Sequence, residues 1–147
     1  VFRYYDLENA MSVTTTGQAM IKYAERAGNH YYKEKLGIEK DYCIYIDTDS
    51  LFFSALPLIQ KNNKSVDVTN HDIMVDLTLK ECEKFQDYIN TSLNMFAKRM
   101  INIDEHRFVF KQEVVAPNGI FISKKRYSLW IIDSEGRYCH VHGYKTN

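Results

Sequence analysis

The sequence predicts an α+β domain in which an antiparallel sheet packs on two long helices. Two segments with apolar residues at helical spacing are separated by a short strand-turn-strand pattern, and three strand-like segments follow the second of them. Strands and helices do not alternate as they do in βαβ proteins, and there is no internal repeat. A length of 147 residues is sufficient for one domain with a hydrophobic core, so residues 1–147 are predicted to form a single domain.

The first helix is predicted to run from Leu7 to about Leu36. Asp6 precedes it as an N-cap whose carboxylate can accept backbone N–H groups, and Gly37 follows it as a stop signal. Small residues recur along this helix and would let it lie close to a sheet; they are Ala10, Gly17, Ala24, Ala27 and Gly28.

The middle of the chain is predicted to contain a hairpin, a loop and a second helix. Residues 42–54 place the turn-forming sequence DTDS between two runs of β-branched and aromatic residues, which is typical of a β-hairpin. Residues 56–70 mix a proline with many polar residues and are predicted to be a mobile loop. Residues 72–100 then keep an apolar stripe at helical spacing, formed by Ile73, Leu77, Phe85, Ile89, Leu93, Phe96 and Met100.

Three further strands are predicted at residues 107–115, 120–132 and 137–141. The sequences PNG and DSEG supply the turns between them. Because the two strands of the hairpin, and the last three strands, are joined by short connections and no βαβ alternation occurs, an antiparallel sheet is expected.

The composition and the N-terminal sequence limit the classes of protein to which this chain can belong. Hydrophobic residues make up 45% of the chain and charged residues 26%, as in soluble globular proteins. No apolar run approaches the roughly 20 residues that span a bilayer, and the N-terminus has no signal-peptide pattern. The chain begins without methionine, which suggests a fragment or an excised domain. Nineteen basic residues balance nineteen acidic ones, so binding to nucleic acid would depend on local clusters of charge.

The cysteines do not indicate a disulfide framework. Cys43, Cys82 and Cys139 are odd in number, far apart and outside any C-x-x-C pair, which also argues against a structural zinc site. Three reduced, mostly buried thiols are predicted. His140 and His142 form an H-x-H pattern beside Cys139, but this is only a partial set of zinc ligands, and solvated imidazoles on an edge strand are the favoured interpretation.

Asp47 and Asp49 lie two residues apart in the predicted hairpin turn. Residues two apart in a strand share a face, and a tight turn can bring two carboxylates closer still. Converging carboxylates repel each other, whereas Mg²⁺ is stabilised by such hard oxygen ligands and is often shared with substrate phosphates. The pair is therefore typical either of an ordinary hairpin turn or of a magnesium site that acts on a phosphorylated substrate.

Two other groups of residues could complete such a site. Glu113 is the best further acid for a two-metal centre, with an ordinary surface position as the alternative. The sequence SKKRY at residues 123–127 inserts three cations into a run of apolar residues. These cations could form a charged sheet edge, or a clamp that binds phosphates through Arg and Lys.

Four segments together resemble the family B DNA polymerases. They are FRYYDLENAMSVTTTGQ at residues 2–18, YIDTDS at residues 45–50, Glu113, and KKRY at residues 124–127, which follows Glu113 by 11 residues. The first segment is most similar to the polymerases of T-even-type bacteriophages. The resemblance covers essentially the whole chain, and it implies the C-terminal part of a polymerase palm domain.

The resemblance implies a role for each candidate residue. Asp49 would be the principal ligand of two Mg²⁺ ions, which Mn²⁺ could replace, and Asp47 would be its partner. Glu113 would be an accessory acid. The residues that would line the primer terminus or hold the primer strand are Tyr45, Thr48, Lys124, Lys125, Arg126 and Tyr127. The implied reaction is attack of a primer 3′-hydroxyl on the α-phosphate of a dNTP.

The resemblance also implies that parts of the polymerase lie outside this chain. No D-x-x-S-L-Y-P-S-like segment is present to supply the other essential aspartate, and no K-x-x-x-N-S-x-Y-G helix is present to bind the triphosphate. The fingers, exonuclease and thumb have no counterpart here, so the isolated chain is expected to be inactive. Position 46 is Ile where the family commonly has Gly, which is expected to change the local geometry near the primer terminus.

The expected partners follow from the same resemblance. They are primer-template DNA, a dNTP, the remaining polymerase domains and, through regions outside the chain, a sliding clamp. The expected location is the cytoplasm of an infected bacterium, with no membrane contact. The neighbouring palm strand that this chain lacks would leave a sheet edge open, and such an edge would favour self-association.

Two alternatives stay open on the residues alone. One is a non-catalytic nucleic-acid-binding or assembly module in which DTDS is only a turn; it is disfavoured because acidic side chains would repel a phosphate backbone. The other is an unrelated Mg²⁺-dependent phosphohydrolase or cyclase, which would need a further acid-bearing strand.

Overall fold

The computed structural model describes residues 6–134 and 137–146, with the backbone alone for His71 and for residues 137–146. In this part of the chain, α-helices combine with two small antiparallel sheets, which confirms the predicted α+β class. A π-helical turn at Ala97–Ile101 directly follows the last helix. The elements in chain order are α1 (Leu7–Leu36), β1 (Cys43–Asp47), β2 (Ser50–Phe53), α2 (Leu56–Asn62), α3 (His71–Phe96), β3 (Val114–Val115), β4 (Asn118–Ser123), β5 (Arg126–Ser134) and β6 (Arg137–Thr146).

Helix α1 begins and ends at the predicted residues. The Asp6 carboxylate accepts the backbone N–H groups of Glu8 at 3.0 Å and Asn9 at 3.3 Å. Gly37 adopts a left-handed conformation with φ of 76°, and its N–H donates to the Lys33 carbonyl at 2.7 Å. A residue with a Cβ atom would be strained at this φ, which explains why glycine ends the helix.

Gly28 lets α1 approach both the first hairpin and α3. A Cβ atom built at this position would lie 2.5 Å from Cζ of Phe53 in β2 and 3.0 Å from Cζ of Phe85 in α3. Gly28 therefore serves the close packing that the sequence predicted, whereas a Cβ atom built at Gly17 would meet nothing within 4 Å. Around this contact lies an aromatic core in which Tyr31, Tyr32 and Tyr42 are buried.

Helix α2 corrects the prediction of a mobile loop for residues 56–62, while residues 63–70 form turns and irregular backbone. Pro57 occupies one of the first two positions of this helix, where its missing N–H is not needed. Leu58 and Ile59 are 2% and 0% exposed, and α2 packs against both α1 and α3. Most residues of this segment are polar, so the sequence did not indicate that the adjacent residues Leu58 and Ile59 enter the core.

Helix α3 and its π-helical turn confirm the second predicted helix. The Asn70 side chain caps the start by accepting the N–H of Ile73 at 3.3 Å. Leu93 and Phe96, from the predicted stripe, are 0% and 1% exposed. The chain leaves the π-helical turn at Asn102, whose φ is 57°.

The strand predicted over residues 107–115 is reduced to the two residues of β3. Two of the preceding residues, Phe110 and Gln112, are bound by side chains of α3 instead of by a strand. The Asn90 side chain accepts the Phe110 N–H at 2.8 Å and donates to the Phe110 carbonyl at 2.9 Å, and Gln86 accepts the Gln112 N–H at 2.8 Å. These amides satisfy backbone groups that a neighbouring strand would otherwise bind.

The strand predicted over residues 120–132 is also corrected, because it forms the two strands β4 and β5. They are joined by a tight turn in which Ser123 pairs with Arg126. Strand β5 pairs with β3 and β4 at successive positions along its length, and it also pairs with β6. Strand β6 confirms the third predicted strand and is longer than predicted. The DSEG turn lies partly outside the described residues.

The thiols of Cys43 and Cys82 are free and half-buried, while the side chain of Cys139 lies outside the described residues. Burial raises the pKa of each of the two thiols to about 11. At pH 8 we expect both to be alkylated by iodoacetamide roughly a hundredfold more slowly than an ordinary thiol, because few of them are ionised. Mass spectrometry of a Cys139→Ser variant measures these rates, and alkylation at the rate of an unfolded control would contradict the expectation.

None of the helices in the described part of the chain combines the length and the apolar character that crossing a lipid bilayer demands.

Candidate metal and nucleic-acid site

The aspartate turn, residues 47–50, joins β1 to β2 and carries both candidate metal ligands. Asp47 pairs with Ser50 across the hairpin, which leaves Thr48 and Asp49 as its two central residues. The Asp49 N–H also donates to the Asp47 carbonyl at 2.6 Å, a γ-turn bond around Thr48 within this four-residue turn. The predicted hairpin is thereby confirmed.

Thr48 holds this turn in a strained conformation. Its φ of 52° is positive, which is rare for a β-branched residue. Strain of this kind typically costs about 1–3 kcal/mol and persists only where surrounding contacts maintain it. Ile46, where glycine was noted as the common residue of the resembled family, has no positive φ and pairs regularly with Leu51, so the hairpin backbone accommodates its side chain.

The two aspartates have different surroundings. The Asp47 side chain is only 12% exposed, and its Oδ1 atom accepts the Thr48 hydroxyl at 3.3 Å and lies 4.0 Å from Nζ of Lys125. Asp49 is exposed, and no side chain in the described part of the chain bonds to its carboxylate. One carboxylate is therefore held in place, while the other projects into solvent at the turn.

The cationic turn, residues 123–126, joins β4 to β5 and lies beside the aspartate turn. Lys124, Lys125 and Arg126 are all exposed in it, and Lys125 has a left-handed φ of 62°. The structure thus brings together two segments that are about 75 residues apart in the sequence. Their charges are opposite, and only one of the three cations is within ion-pair distance of Asp47.

An aromatic block packs the two hairpins against each other. Tyr45 and Phe52 come from the first hairpin, and Phe121 and Tyr127 come from the second. The ring centroids of Tyr45 lie 5.1 Å from Phe121 and 5.7 Å from Tyr127, and those of Phe52 lie 5.3 and 5.5 Å from the same two rings. Pairs at these separations stabilise a contact beyond their buried area, by about 0.5–1.5 kcal/mol each.

Tyr45 also binds the cationic turn through its hydroxyl group. This oxygen accepts the backbone N–H of Lys125 at 2.6 Å, and the hydroxyl donates to the Ser123 carbonyl at 3.4 Å. Tyr127, which the resemblance placed on the primer, is 7% exposed and lies within the aromatic block. Its ring packs against those of Tyr45, Phe52 and Phe121.

Glu113 does not join the two aspartates in a three-carboxylate cluster. It is exposed and immediately precedes β3. Among the described residues, no group of three or more His, Cys, Asp or Glu side chains could hold a metal ion. The described structure therefore contains a pair of carboxylates in the aspartate turn, which is fewer acids than a two-metal centre needs. His140 and His142 lie where side chains are not described, so the H-x-H pattern is untested.

Phe52 and Phe121 were not among the residues singled out in the sequence, although they link the two hairpins. Phe52 lies two residues after the YIDTDS segment, and Phe121 lies two residues before the SKKRY segment. Each pairs across its hairpin with a tyrosine of that segment, Phe52 with Tyr45 and Phe121 with Tyr127. Cross-strand pairing of aromatic residues was the available signal. It could reveal the two aromatic pairs but not their contact with each other.

Comparison with known proteins gives relatives along nearly the whole chain. No protein-family model matches it. The DNA-directed DNA polymerase of Escherichia phage RB69 is 34% identical over 145 residues, which cover 92% of this chain and 16% of that protein. The DNA-directed DNA polymerase of Enterobacteria phage T4 is 26% identical over 144 residues, with the same two coverages.

The chain thus spans 16% of the length of either curated relative. Both relatives carry the same description, and both match over 92% of the chain, so the similarity is not confined to a short motif. The chain belongs to the family of these phage DNA-directed DNA polymerases, as a relative of one segment of them.

Proposed function

We propose that this chain is the metal-binding part of the palm domain of a family B DNA polymerase, and that the complete enzyme transfers a nucleotide from a dNTP to a primer 3′-hydroxyl. The observation that carries the proposal is the position of the aspartate turn beside the cationic turn, with Asp47 and Lys125 4.0 Å apart. An acidic pair suits divalent cations, and adjacent cations suit the phosphates of a nucleic acid. Both relatives are named DNA-directed DNA polymerases, an activity that such groups would serve.

In this proposal the aspartates bind Mg²⁺, or Mn²⁺ in its place. Asp49 is the principal ligand because its carboxylate is exposed, and Asp47 is a partner whose position is fixed by Thr48 and Lys125. Hard oxygen ligands of this kind suit both ions. When bound, a pair of such ions supplies activation of the 3′-hydroxyl and stabilisation of the leaving pyrophosphate. Glu113 is proposed as an accessory acid.

The cationic turn is proposed to hold the primer strand. Lys124, Lys125 and Arg126 are exposed, and contacts from such side chains to phosphates position a nucleic acid independently of its sequence. Thr48 lies at the tip of the neighbouring turn, where it would face the primer terminus. Tyr127 contributes by packing against Tyr45, whose hydroxyl bonds the cationic turn.

The site needs residues from elsewhere in the polymerase. In the described part of the chain, β1 and β2 pair only with each other, so the edges of this hairpin can accept a further strand that brings another acid. We therefore propose that the isolated chain is inactive, and that it can self-associate through such an edge. The proposed partners are primer-template DNA, a dNTP, the other polymerase domains and a sliding clamp, in the cytoplasm of an infected bacterium.

A chimera tests the proposed function. The aligned segment of the phage RB69 polymerase is replaced by this chain, and template-dependent primer extension is measured together with binding of the primer-template. We expect extension by the chimera and none by the isolated chain. A chimera that binds the primer-template but does not extend it would contradict the polymerase assignment, and would favour a non-catalytic nucleic-acid-binding module.

Removing the charge of Lys125 is expected to affect metal and DNA in opposite directions. The ammonium group lies near Asp47 and opposes a bound cation, so Lys125→Asn should tighten Mn²⁺ binding by the isolated chain roughly two- to tenfold. The same change should weaken binding of a primer-template duplex. Asparagine is chosen because it tolerates the left-handed conformation of this position.

Titrations of Mn²⁺ and of the duplex, both at low salt, measure the two effects. Lys64→Asn is the matched control, since Lys64 lies on the surface after α2. Equal or weaker Mn²⁺ binding by Lys125→Asn would show that Lys125 does not act on the metal site.

A further inference from the structure

We propose that Tyr45 is a positioning residue for Lys125, and that its hydroxyl group sets the cationic turn against the aspartate turn instead of contacting the primer. The DNA-binding consequence of this inference rests on the proposed function, but the positioning itself does not. The resemblance placed Tyr45 at the primer terminus, and the described contacts give its hydroxyl a different task.

The hydrogen bonds of Tyr45 occupy the hydroxyl. A phenol has one O–H donor, which points to the Ser123 carbonyl at 3.4 Å, while its oxygen accepts the Lys125 N–H at 2.6 Å. The two bonded residues flank Lys124 at the point where the turn reverses. One side chain thus connects both sides of the turn.

The ring of Tyr45 is fixed as firmly as its hydroxyl. Its centroid lies 5.1 to 5.9 Å from the rings of Phe52, Phe121 and Tyr127, so it is held from both hairpins. Rotating the ring toward a ligand would break these contacts together with both hydrogen bonds. Tyr45 is therefore suited to holding a neighbouring segment in place.

Lys125 is the residue that needs such support. Its φ of 62° is a conformation that residues other than Gly, Asn and Asp rarely adopt. The bond from its N–H to Tyr45 stabilises this conformation and directs the side chain to within 4.0 Å of the Asp47 carboxylate. Tyr45 and Asp47 are two residues apart in β1 and therefore lie on the same face of the strand. The same strand thus holds the cationic turn and carries the proposed metal ligand.

Amide hydrogen exchange in Tyr45→Phe, followed by NMR on the 147-residue chain, tests the positioning. This change removes the hydroxyl and keeps the ring. We expect exchange at the Lys125 N–H to become roughly five- to tenfold faster, while the signals of Phe52 and Phe121 stay in place. Tyr23→Phe is the matched control, because it removes a hydroxyl that bonds the Ser92 carbonyl elsewhere in the fold. Unchanged exchange at Lys125 would overturn the proposal.

Duplex binding separates positioning from direct contact with DNA. If Tyr45 acts through Lys125, then Tyr45→Phe weakens binding of a primer-template, and the double variant Tyr45→Phe/Lys125→Asn binds no more weakly than Lys125→Asn alone. Additive losses would instead mean that Tyr45 contacts the DNA itself, and would overturn the proposal. Absence of duplex binding by any variant would count against the proposed function, and exchange at Lys125 would still decide the role of Tyr45.

Discussion

Replacing Asp49 by asparagine in the chimeric polymerase is expected to lower primer extension by about three orders of magnitude or more. Metal ions contribute several kcal/mol to the stabilisation of charge in such reactions, and each 1.36 kcal/mol corresponds to a factor of ten in rate. Asparagine preserves the turn, because the bond that closes it joins the backbone N–H of Asp49 to the Asp47 carbonyl. Only the charge of the exposed carboxylate is lost.

Asp76→Asn serves as the control for this variant. Asp76 is exposed on α3 and forms a surface ion pair with Lys80, which contributes little to stability. Primer extension and primer-template binding are measured for both variants. Extension by Asp49→Asn at the rate of the control would show that Asp49 is not a metal ligand of the reaction.

The second large effect is expected at Ile59, within the segment that the sequence predicted to be a loop. Ile59 is 0% exposed in α2, so truncation to alanine should lower the free energy of unfolding by about 2–5 kcal/mol. Truncation of a residue in a mobile loop would leave the free energy of unfolding almost unchanged. Denaturation in urea measures the difference.

Leu56→Ala is the matched control for Ile59→Ala. Leu56 lies in the same short helix but is 41% exposed, so its truncation removes much less buried surface. Equal losses in the two variants, or a loss below about 1 kcal/mol for Ile59→Ala, would contradict the described packing of α2.

The elements that the sequence predicted well are those with local signals. Asp6 and Gly37 mark the ends of α1 because caps act on adjacent backbone groups. The hairpin around the aspartate turn is equally local, since its turn residues and its flanking apolar residues lie within 12 positions. The family resemblance depended on the same motifs, and the similarity to the two phage polymerases agrees with it.

The elements that the sequence missed depend on distant partners. Residues 107–113 have strand-like composition, but their backbone groups are bound by Gln86 and Asn90 of α3, which no local pattern reveals. The cations at residues 124–126 were placed within a strand because the apolar residues continue on both sides. The left-handed conformation of Lys125, which makes the turn, is supported by a hydrogen bond to Tyr45, far away in the sequence.

The sequence predicted which residues form the candidate site but not how they are arranged in space. Both motifs were identified, yet their contact through Tyr45, Phe52, Phe121 and Tyr127 is a tertiary feature. Tyr45 was placed at the primer terminus by resemblance, and no local pattern indicated that its hydroxyl also bonds the backbone of the cationic turn. Two of the three non-glycine residues with positive φ in the described part of the chain, Thr48 and Lys125, lie in the two turns that carry the charges, and the third, Asn102, follows the π-helical turn. Strain of this kind concentrates where function fixes the backbone.

Paramagnetic broadening by Mn²⁺ tests the central claim most directly, because it locates a weakly bound ion on the chain as it stands. Backbone amide signals of the 147-residue chain are recorded during a Mn²⁺ titration, with Asp47→Asn/Asp49→Asn as the comparison. We predict that broadening centres on Thr48 and Asp49, extends to the adjacent Lys125, and disappears in the double variant. Broadening that centres elsewhere, or that persists without the two carboxylates, would contradict the assignment of the aspartate turn as the metal site.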